Sequence, residues 1–570
     1  MTDSVPAINP PTPPHSSPEP YNIAQSLDEM AARAPFRPAV IFPAGRDAAD
    51  RPRFVQFSYR QLNELVNSYA HGLAGYGIGP GERTLMLIRP GVEMVAVAFA
   101  LLKIGAAPVI IDPGMGRRAF LQCVDESEPT AFIGISAAHV LRLLFPRAFR
   151  TVKRAVTVGK RWFWGGATLA QLKVDWLGDF SPAPTTTASE AAIAFTSGST
   201  GIPKGVIFLH GTFKAQIDFL SREIGIQEGE IDLPGLPIFA LFNPALGVTT
   251  VFPDMDASKP ATLNPATWVE SIQTHGVTNS FGSPTIWKVV AKYCRDNAIQ
   301  LPSLRRVFMA GAPVPPGLIQ TMTEQIMTGG DVYTPFGATE ALPISNITGA
   351  EILAETAALT AQGWGVCVGR PLAGVNIRII PISDEPIAQW DDSLALPAGE
   401  VGEIVVSGPV VTREYLHRPE QTRLAKIYNG DGSVWHRMGD VGYFDSRGRL
   451  WMCGRKAHRV ETADGLLLPV PCEAIFNAHP EVARTALVGV GPLDRRRPVL
   501  VVELASGAIP AKQEQQRLVD ELLALGRQAE HTRPITEFLF HASFPVDVRH
   551  NVKIQREKLA VWAAGELGVK

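Results

Sequence analysis

Residues 84–111, TLMLIRPGVEMVAVAFALLKIGAAPVII, decide the fold class. Thr84 to Ile88 is a short apolar run that reads as a strand, and Pro90 and Gly91 break it. Val92 to Ile104 is long and apolar enough for a helix, and Gly105 closes it. A second strand follows from Ala107 to Ile111. Strand, helix, strand at this spacing predicts a right-handed parallel crossover and an α/β layer architecture.

Towards the amino terminus, Ser58 and Gln61 form a capping-box pair, and Phe57 and Leu62 occupy staple positions. A helix should start there. Its apolar residues Leu62, Leu65, Val66, Tyr69, Ala70 and Leu73 recur at intervals of three and four until the glycines of GYGIGPGE stop it. Towards the carboxy terminus the alternation continues past residue 300, and from about Gly402 the texture changes. GEIVVSGP and YFDSRGRLWMCGR read as short strands, the latter pair joined by an Asp-Ser-Arg-Gly turn. After Arg455 come two further strands, Ala483 to Val490 and Val499 to Leu504, and a helix carrying Leu518, Val519, Leu522, Leu523 and Leu525. The expected organisation is a disordered Pro-rich leader at 1–20, a large domain at 21–454 and a small α+β domain at 455–570.

The chain of 570 residues is 46% hydrophobic and carries 53 basic against 55 acidic residues, so no overall field gathers nucleic acid or an anionic membrane. Its longest apolar run, Met94 to Leu102, is too short for a membrane span. The first twenty residues hold seven prolines and no basic residue, unlike a signal peptide. The cysteines, Cys123, Cys294, Cys367, Cys453 and Cys472, are odd in number and lack C-x-x-C spacing, so neither a disulfide framework nor a zinc site is indicated. A reducing cytoplasm is the expected setting.

Phe195 to Val206, FTSGSTGIPKGV, packs Thr196, Ser197, Ser199 and Thr200 among Gly198, Gly201 and Gly205, with Lys204 as its only charge. Such a loop can wrap phosphates: backbone N–H groups come close, hydroxyls donate, and the lysine offsets charge. It is not a Walker A loop, because Pro203 and not glycine precedes Lys204. Read alone, it is more readily a Ser/Thr-rich surface turn, since such loops are commonly just connections.

The loop resembles the phosphate-binding signature of the adenylate-forming superfamily, which includes acyl-CoA synthetases, luciferases and peptide adenylation domains. The other signatures follow in order: Met309 to Pro313 (MAGAP), Tyr333 to Glu340 (YTPFGATE), Gly439-Asp440, Gly454-Arg455, and Lys553 in RHNVKIQREKL. With the early SYRQL, GIGPGER and GAAPVIIDP segments, the similarity covers nearly the whole chain. It implies a large α/β domain of stacked sheets with a β-rich subdomain and a small mobile carboxy-terminal domain carrying the catalytic lysine.

The resemblance also implies ATP and Mg²⁺ as cofactors and assigns roles. Phe336 and Gly337 would lie against the adenine, and Gly311, Ala312 and Pro313 would line its edge. Thr339 would donate to the α-phosphate, and Glu340 would hold Mg²⁺. Asp440 would accept from the ribose hydroxyls with Arg455 nearby, and Lys553 would bridge the attacking carboxylate and the nucleotide. His210 matches a histidine that many members place at the mouth of the acyl site. Taken singly, Glu340 also reads as a helix N-terminal acid, Asp440 as a turn residue, Lys553 as a solvated lysine and His210 as a structural imidazole.

Two places depart from the thioester-forming pattern. Ala457 stands where the hinge acid or lysine is usual, and Asn551-Val552 replaces the small pair before the catalytic lysine. The wording YTPFGATEALP with DVRHNVKIQREKLA is most similar to the β-lactone synthetase branch of bacterial long-chain olefin biosynthesis. That similarity implies activation of a long-chain 2-alkyl-3-hydroxy acid, closure by its own β-hydroxyl, and assembly with other enzymes of that pathway. A long-chain fatty acyl-CoA ligase and a catalytically idle nucleotide-binding scaffold remain alternatives. An α/β-hydrolase lacks its G-x-S-x-G elbow here.

Overall fold

The opening stretch folds as strand Arg83–Leu87, helix Val92–Lys103 and strand Ala107–Ile110, and the two strands pair in parallel with Leu85 opposite Val109. The computed structural model describes residues 18–174, 178–196, 203–256, 259, 262–493, 495–547 and 550–569, with the backbone alone at 547 and 550–553. The leader expected at 1–20 therefore lies mostly outside the described residues.

Helix Val92–Lys103 is apolar beyond its first turn because only that turn, at Glu93, reaches solvent: every residue from Val95 to Leu102 is buried. Its core takes in Ala131, Ile133 and Val156 from one sheet and Val40 from another, which makes it part of a helical layer between two sheets. Beside it packs helix Tyr59–Gly75, whose capping box is formed as the sequence predicts. The Gln61 amide donates to Ser58 Oγ at 3.2 Å, and the Ser58 amide donates to Gln61 Oε1 at 2.9 Å.

The first sheet has seven strands and is parallel apart from one hairpin, Glu190–Phe195 with Gly205–Leu209. The second also has seven, ordered Asp331–Tyr333, Arg306–Met309, Asn279–Gly282, Ile231–Asp232, Thr249–Val251, Pro38–Arg46 and Pro52–Ser58. A third, largely antiparallel sheet contains Gly402–Ser407, Val434–Phe444 and Leu450–Arg455. The Asp445–Gly448 turn is made by the Asp445 carboxylate, which accepts from the amides of Arg447 and Arg449 at 2.9 Å each.

In the small carboxy-terminal domain, Val482–Val490 pairs antiparallel with Arg497–Leu504, which pairs parallel with Glu537–Phe540. Helix Lys512–Gly526 covers one face of this sheet. Two apolar cores are built entirely from residues at or after Val460. Among the described residues, no helix is long and apolar enough to cross a membrane.

Candidate active site

A large cleft of about 2930 Å³ opens where the parallel strands end and the third sheet begins. In α/β sheets ligands gather outside the carboxyl ends of strands, because loops there diverge and leave backbone groups free. Strand Arg306–Met309 delivers Gly311, Ala312 and Pro313 to the wall, and strand Asp331–Tyr333 leads to Phe336, Gly337, Thr339 and Glu340. Thr196 and Lys204 close another side. The Thr196 amide donates to the Lys204 carbonyl at 3.0 Å, and the Lys204 amide donates to Thr196 Oγ1 at 3.2 Å, pinching the base of the loop. Ser197, Gly198, Ser199, Thr200 and Gly201 lie outside the described residues.

Glu340 is not at a helix start. It sits in the tight turn between strands Phe336–Ala338 and Ala341–Asn346. Its Oε1 accepts from the Tyr415 hydroxyl at 2.5 Å. Its carbonyl accepts from the Thr412 amide at 2.8 Å and the Thr412 hydroxyl at 3.0 Å. Lys204 Nζ lies 4.5 Å from the centre of the Tyr415 ring, a cation–π contact that brings a positive charge alongside the carboxylate. Behind them Lys426 is fully buried and donates to the Thr412 carbonyl. Burial pulls its pKa down to about 7, against the pull of Glu340, which favours its charge. The sequence reading missed Tyr415, Thr412 and Lys426, and no local pattern marks any of the three, because what sets them apart is burial among residues distant in the chain.

Asp440 and Arg455 are cross-strand partners, which places Asp440 in a strand and not in a turn. Val441 stands opposite Glu403 and Arg437 opposite Val405, so Met438, Gly439 and Asp440 together face Ile404 alone. The resulting bulge re-aims Asp440, and it depends on Gly439, whose φ of +68° is left-handed. Arg455 Nε lies 3.2 Å from Asp440 Oδ1, and both residues border the cleft.

The remaining wall is largely apolar. Phe208 stacks on Phe213 at 5.5 Å, Phe213 meets Phe242 edge-on, and Phe242, Phe239 and Phe281 continue the line. All five border the cleft, and on the far side it reaches Phe219, Leu246 and Val248. One buried acid interrupts this surface. Asp232 accepts from Asn243 Nδ2 at 2.9 Å, and burial pushes its carboxyl up to about 7. His210 does not join the wall. It is 1% exposed, its Nδ1 accepts from the Ile23 amide at 3.2 Å, and burial lowers its pKa to about 4.

From the small domain, Ala457, His458 and Arg556 reach the cleft. Lys456 donates to the Ser383 carbonyl at 2.7 Å and pairs with the buried Glu403 at 3.0 Å, anchoring the start of this segment on the third sheet. His458 meets Glu557 at 3.0 Å, and Arg556 pairs with Glu473 at 2.7 Å. Lys553 belongs to strand His550–Ile554, which runs beside helix Pro284–Asp296 of the large domain. Its side chain lies outside the described residues.

The cleft thus brings together Thr196, Lys204, an anchored Glu340 carboxylate and Asp440 on a bulged strand. The model for "AMP-binding enzyme" matches residues 27–416, and the chain belongs to that family. It is 48% identical over 96% of its length to "Olefin beta-lactone synthetase" of Stenotrophomonas maltophilia (strain K279a), covering 99% of that protein. The protein of the same description from Xanthomonas campestris pv. campestris is 47% identical over 95% of this chain and 97% of its own length. Among solved structures, the amide bond synthetase of Marinactinospora thermotolerans aligns over 95% of this chain and 99% of its own with a TM-score of 0.76, at 24% identity.

Proposed function

We propose that this enzyme activates a long-chain 2-alkyl-3-hydroxy acid with ATP and closes the product to a β-lactone. In the first step a carboxylate oxygen bonds to the α-phosphorus and pyrophosphate leaves. In the second the β-hydroxyl oxygen bonds to the acyl carbon, the acyl–phosphate bond breaks, AMP leaves and the hydroxyl proton passes to solvent. An internal nucleophile has a high effective concentration, which offsets part of the ring strain. The observation that carries this reading is the 48% identity, spanning 96% of the chain, to a protein described as an olefin β-lactone synthetase.

In this reading Phe336 and Gly311 to Pro313 hold the adenine, Asp440 and Arg455 the ribose, and the 196–204 loop the phosphates. Thr339 donates to the α-phosphate, and Lys553 compensates the charge formed as two anions meet. Glu340 suits a hard divalent cation, because its carboxylate borders the cleft in a fixed orientation beside Lys204. Bound Mg²⁺ would neutralise phosphate charge there. The line of five phenylalanines supports an acyl chain as the occupant of the apolar side. We further place the domain boundary between 454 and 455, giving units at 21–454 and 455–570. The cytoplasm is the proposed setting, in assembly with other enzymes of olefin synthesis.

Purified protein given MgATP and a long-chain 2-alkyl-3-hydroxy acid, with and without coenzyme A, should release pyrophosphate and AMP and form a β-lactone visible by mass spectrometry in both cases. A coenzyme A thioester in place of the lactone would overturn the assignment of acceptor.

A further inference from the structure

We propose that the outer edge of the first sheet is a docking surface for an anionic lipid bilayer. From Pro129 to Val174 the chain carries eight Lys and Arg residues and no Asp or Glu, in a protein whose overall charge is nearly balanced. This segment folds into strand Ala131–Ile135, helix Ser136–Leu144, strand Arg154–Val158 and the KRWFWGG loop that follows. Arg150 and Arg154 are neutralised by acids from outside the segment, Asp125 and Glu82. Arg147, Lys153, Lys160, Arg161 and Lys173 are exposed and form no ion pair among the described residues.

The same edge exposes large apolar side chains: Phe163 at 81%, Leu144 at 67%, Trp162 at 54% and Leu143 at 43%. The loop that presents the aromatic pair is rigidly mounted. Trp164 is buried, stacks on His139 of the helix at 5.3 Å and donates to Thr157 Oγ1 at 2.9 Å, while Ser136 Oγ donates to the Lys160 carbonyl at 2.5 Å. Trp162 and Phe163 are therefore held outwards on an anchored base. Exposed aromatics and leucines beside unpaired Lys and Arg match the interface of an anionic bilayer, where rings enter the headgroup region and cations meet phosphates. An acidic protein would satisfy the charges but leaves the projecting rings unexplained.

The surface adjoins the cleft. Ala137, Ala138 and Leu141 of helix Ser136–Leu144 line the cleft wall, so this short helix separates bilayer from cavity. An apolar ligand leaving the membrane at this edge would meet the cavity one helix width away.

The test is flotation of the full chain with vesicles of phosphatidylethanolamine and phosphatidylglycerol, against vesicles of phosphatidylcholine alone, at low and high salt. Binding to the anionic vesicles only, reversed by salt, is expected. At about fivefold in partition per charge near such a surface, K160E/R161E should weaken binding at least twentyfold. W162S/F163S should weaken it about tenfold while keeping the parent's thermal midpoint and its pyrophosphate release with a short soluble acid. No flotation with anionic vesicles at low salt, as an acidic protein partner would give, overturns the proposal. So does full retention of binding by either variant.

Discussion

Tyr415→Phe removes one hydroxyl and leaves the ring. That hydroxyl lies 2.5 Å from Glu340 Oε1 on a side chain 5% exposed. Burial and the adjacent carboxylate push the tyrosine's pKa well above its ordinary value, so the proton stays on the phenol and the bond is donated to Glu340 throughout the neutral range. A hydrogen bond to a charged group contributes about 1.5–3 kcal/mol. At about 1.4 kcal/mol per factor of ten, its loss is worth roughly ten- to a hundredfold in whatever the carboxylate binds. Two effects oppose each other here. Without the donor the carboxylate is a stronger base, which favours a cation; without the donor it also loses its fixed direction. A carboxylate has about four lone-pair sites, so one hydroxyl leaves room for a metal and its removal opens little. Loss of direction should win. The free Mg²⁺ that half-saturates pyrophosphate release should rise about tenfold or more, with turnover at saturating Mg²⁺ within a few-fold of the parent. Mn²⁺ binding followed by electron paramagnetic resonance, with a non-hydrolysable ATP analogue present, should weaken in parallel. An unchanged Mg²⁺ dependence would refute both the role of Tyr415 and the placement of the cation at Glu340.

Lys553→Ala should lower pyrophosphate release by several orders of magnitude while calorimetry shows ATP still bound, because the lysine serves the charge of the transition state and not the adenine; near-normal release would remove it from the mechanism. Gly439→Ala forces a side chain into a left-handed backbone at a cost of about 1–2 kcal/mol and tilts Asp440, so nucleotide affinity should drop about tenfold. If affinity holds while only the melting temperature falls, the bulge does not aim Asp440 at the nucleotide. Asp232→Asn tests the buried acid. Its carboxyl is raised from 3.8 to about 7 on folding, so the folded chain holds the extra proton between those values and stability falls as pH rises through that window. At about 1.4 kcal/mol per unit, the parent should lose on the order of 2–4 kcal/mol between pH 4 and pH 7 from this group. The Asn variant, which still accepts from Asn243, should lose less by denaturant titration; equal losses would place the titration elsewhere.

The sequence by itself determined the parts that depend on neighbours along the chain. The capping box at Ser58, the crossover at residues 84–111 and the Asp445 turn all formed where local pattern placed them, because hydrogen bonds three or four residues apart and apolar periodicity are local physics. The order of the six signatures likewise pointed to the family without coordinates. Tertiary structure decided what each residue faces. Glu340 read equally as a helix start, and only the pairing of Phe336–Ala338 with Ala341–Asn346 puts it in a hairpin turn beneath Tyr415, which is 75 residues away in sequence. Asp440 read as a turn residue, and only the register against Gly402–Ser407 shows the bulge that aims it. His210 matched a pattern, but packing against Ile23 took it out of the cleft wall. Lys426 and Asp232 carried no signal, since a buried charge is recognised by what surrounds it and those neighbours come from distant strands.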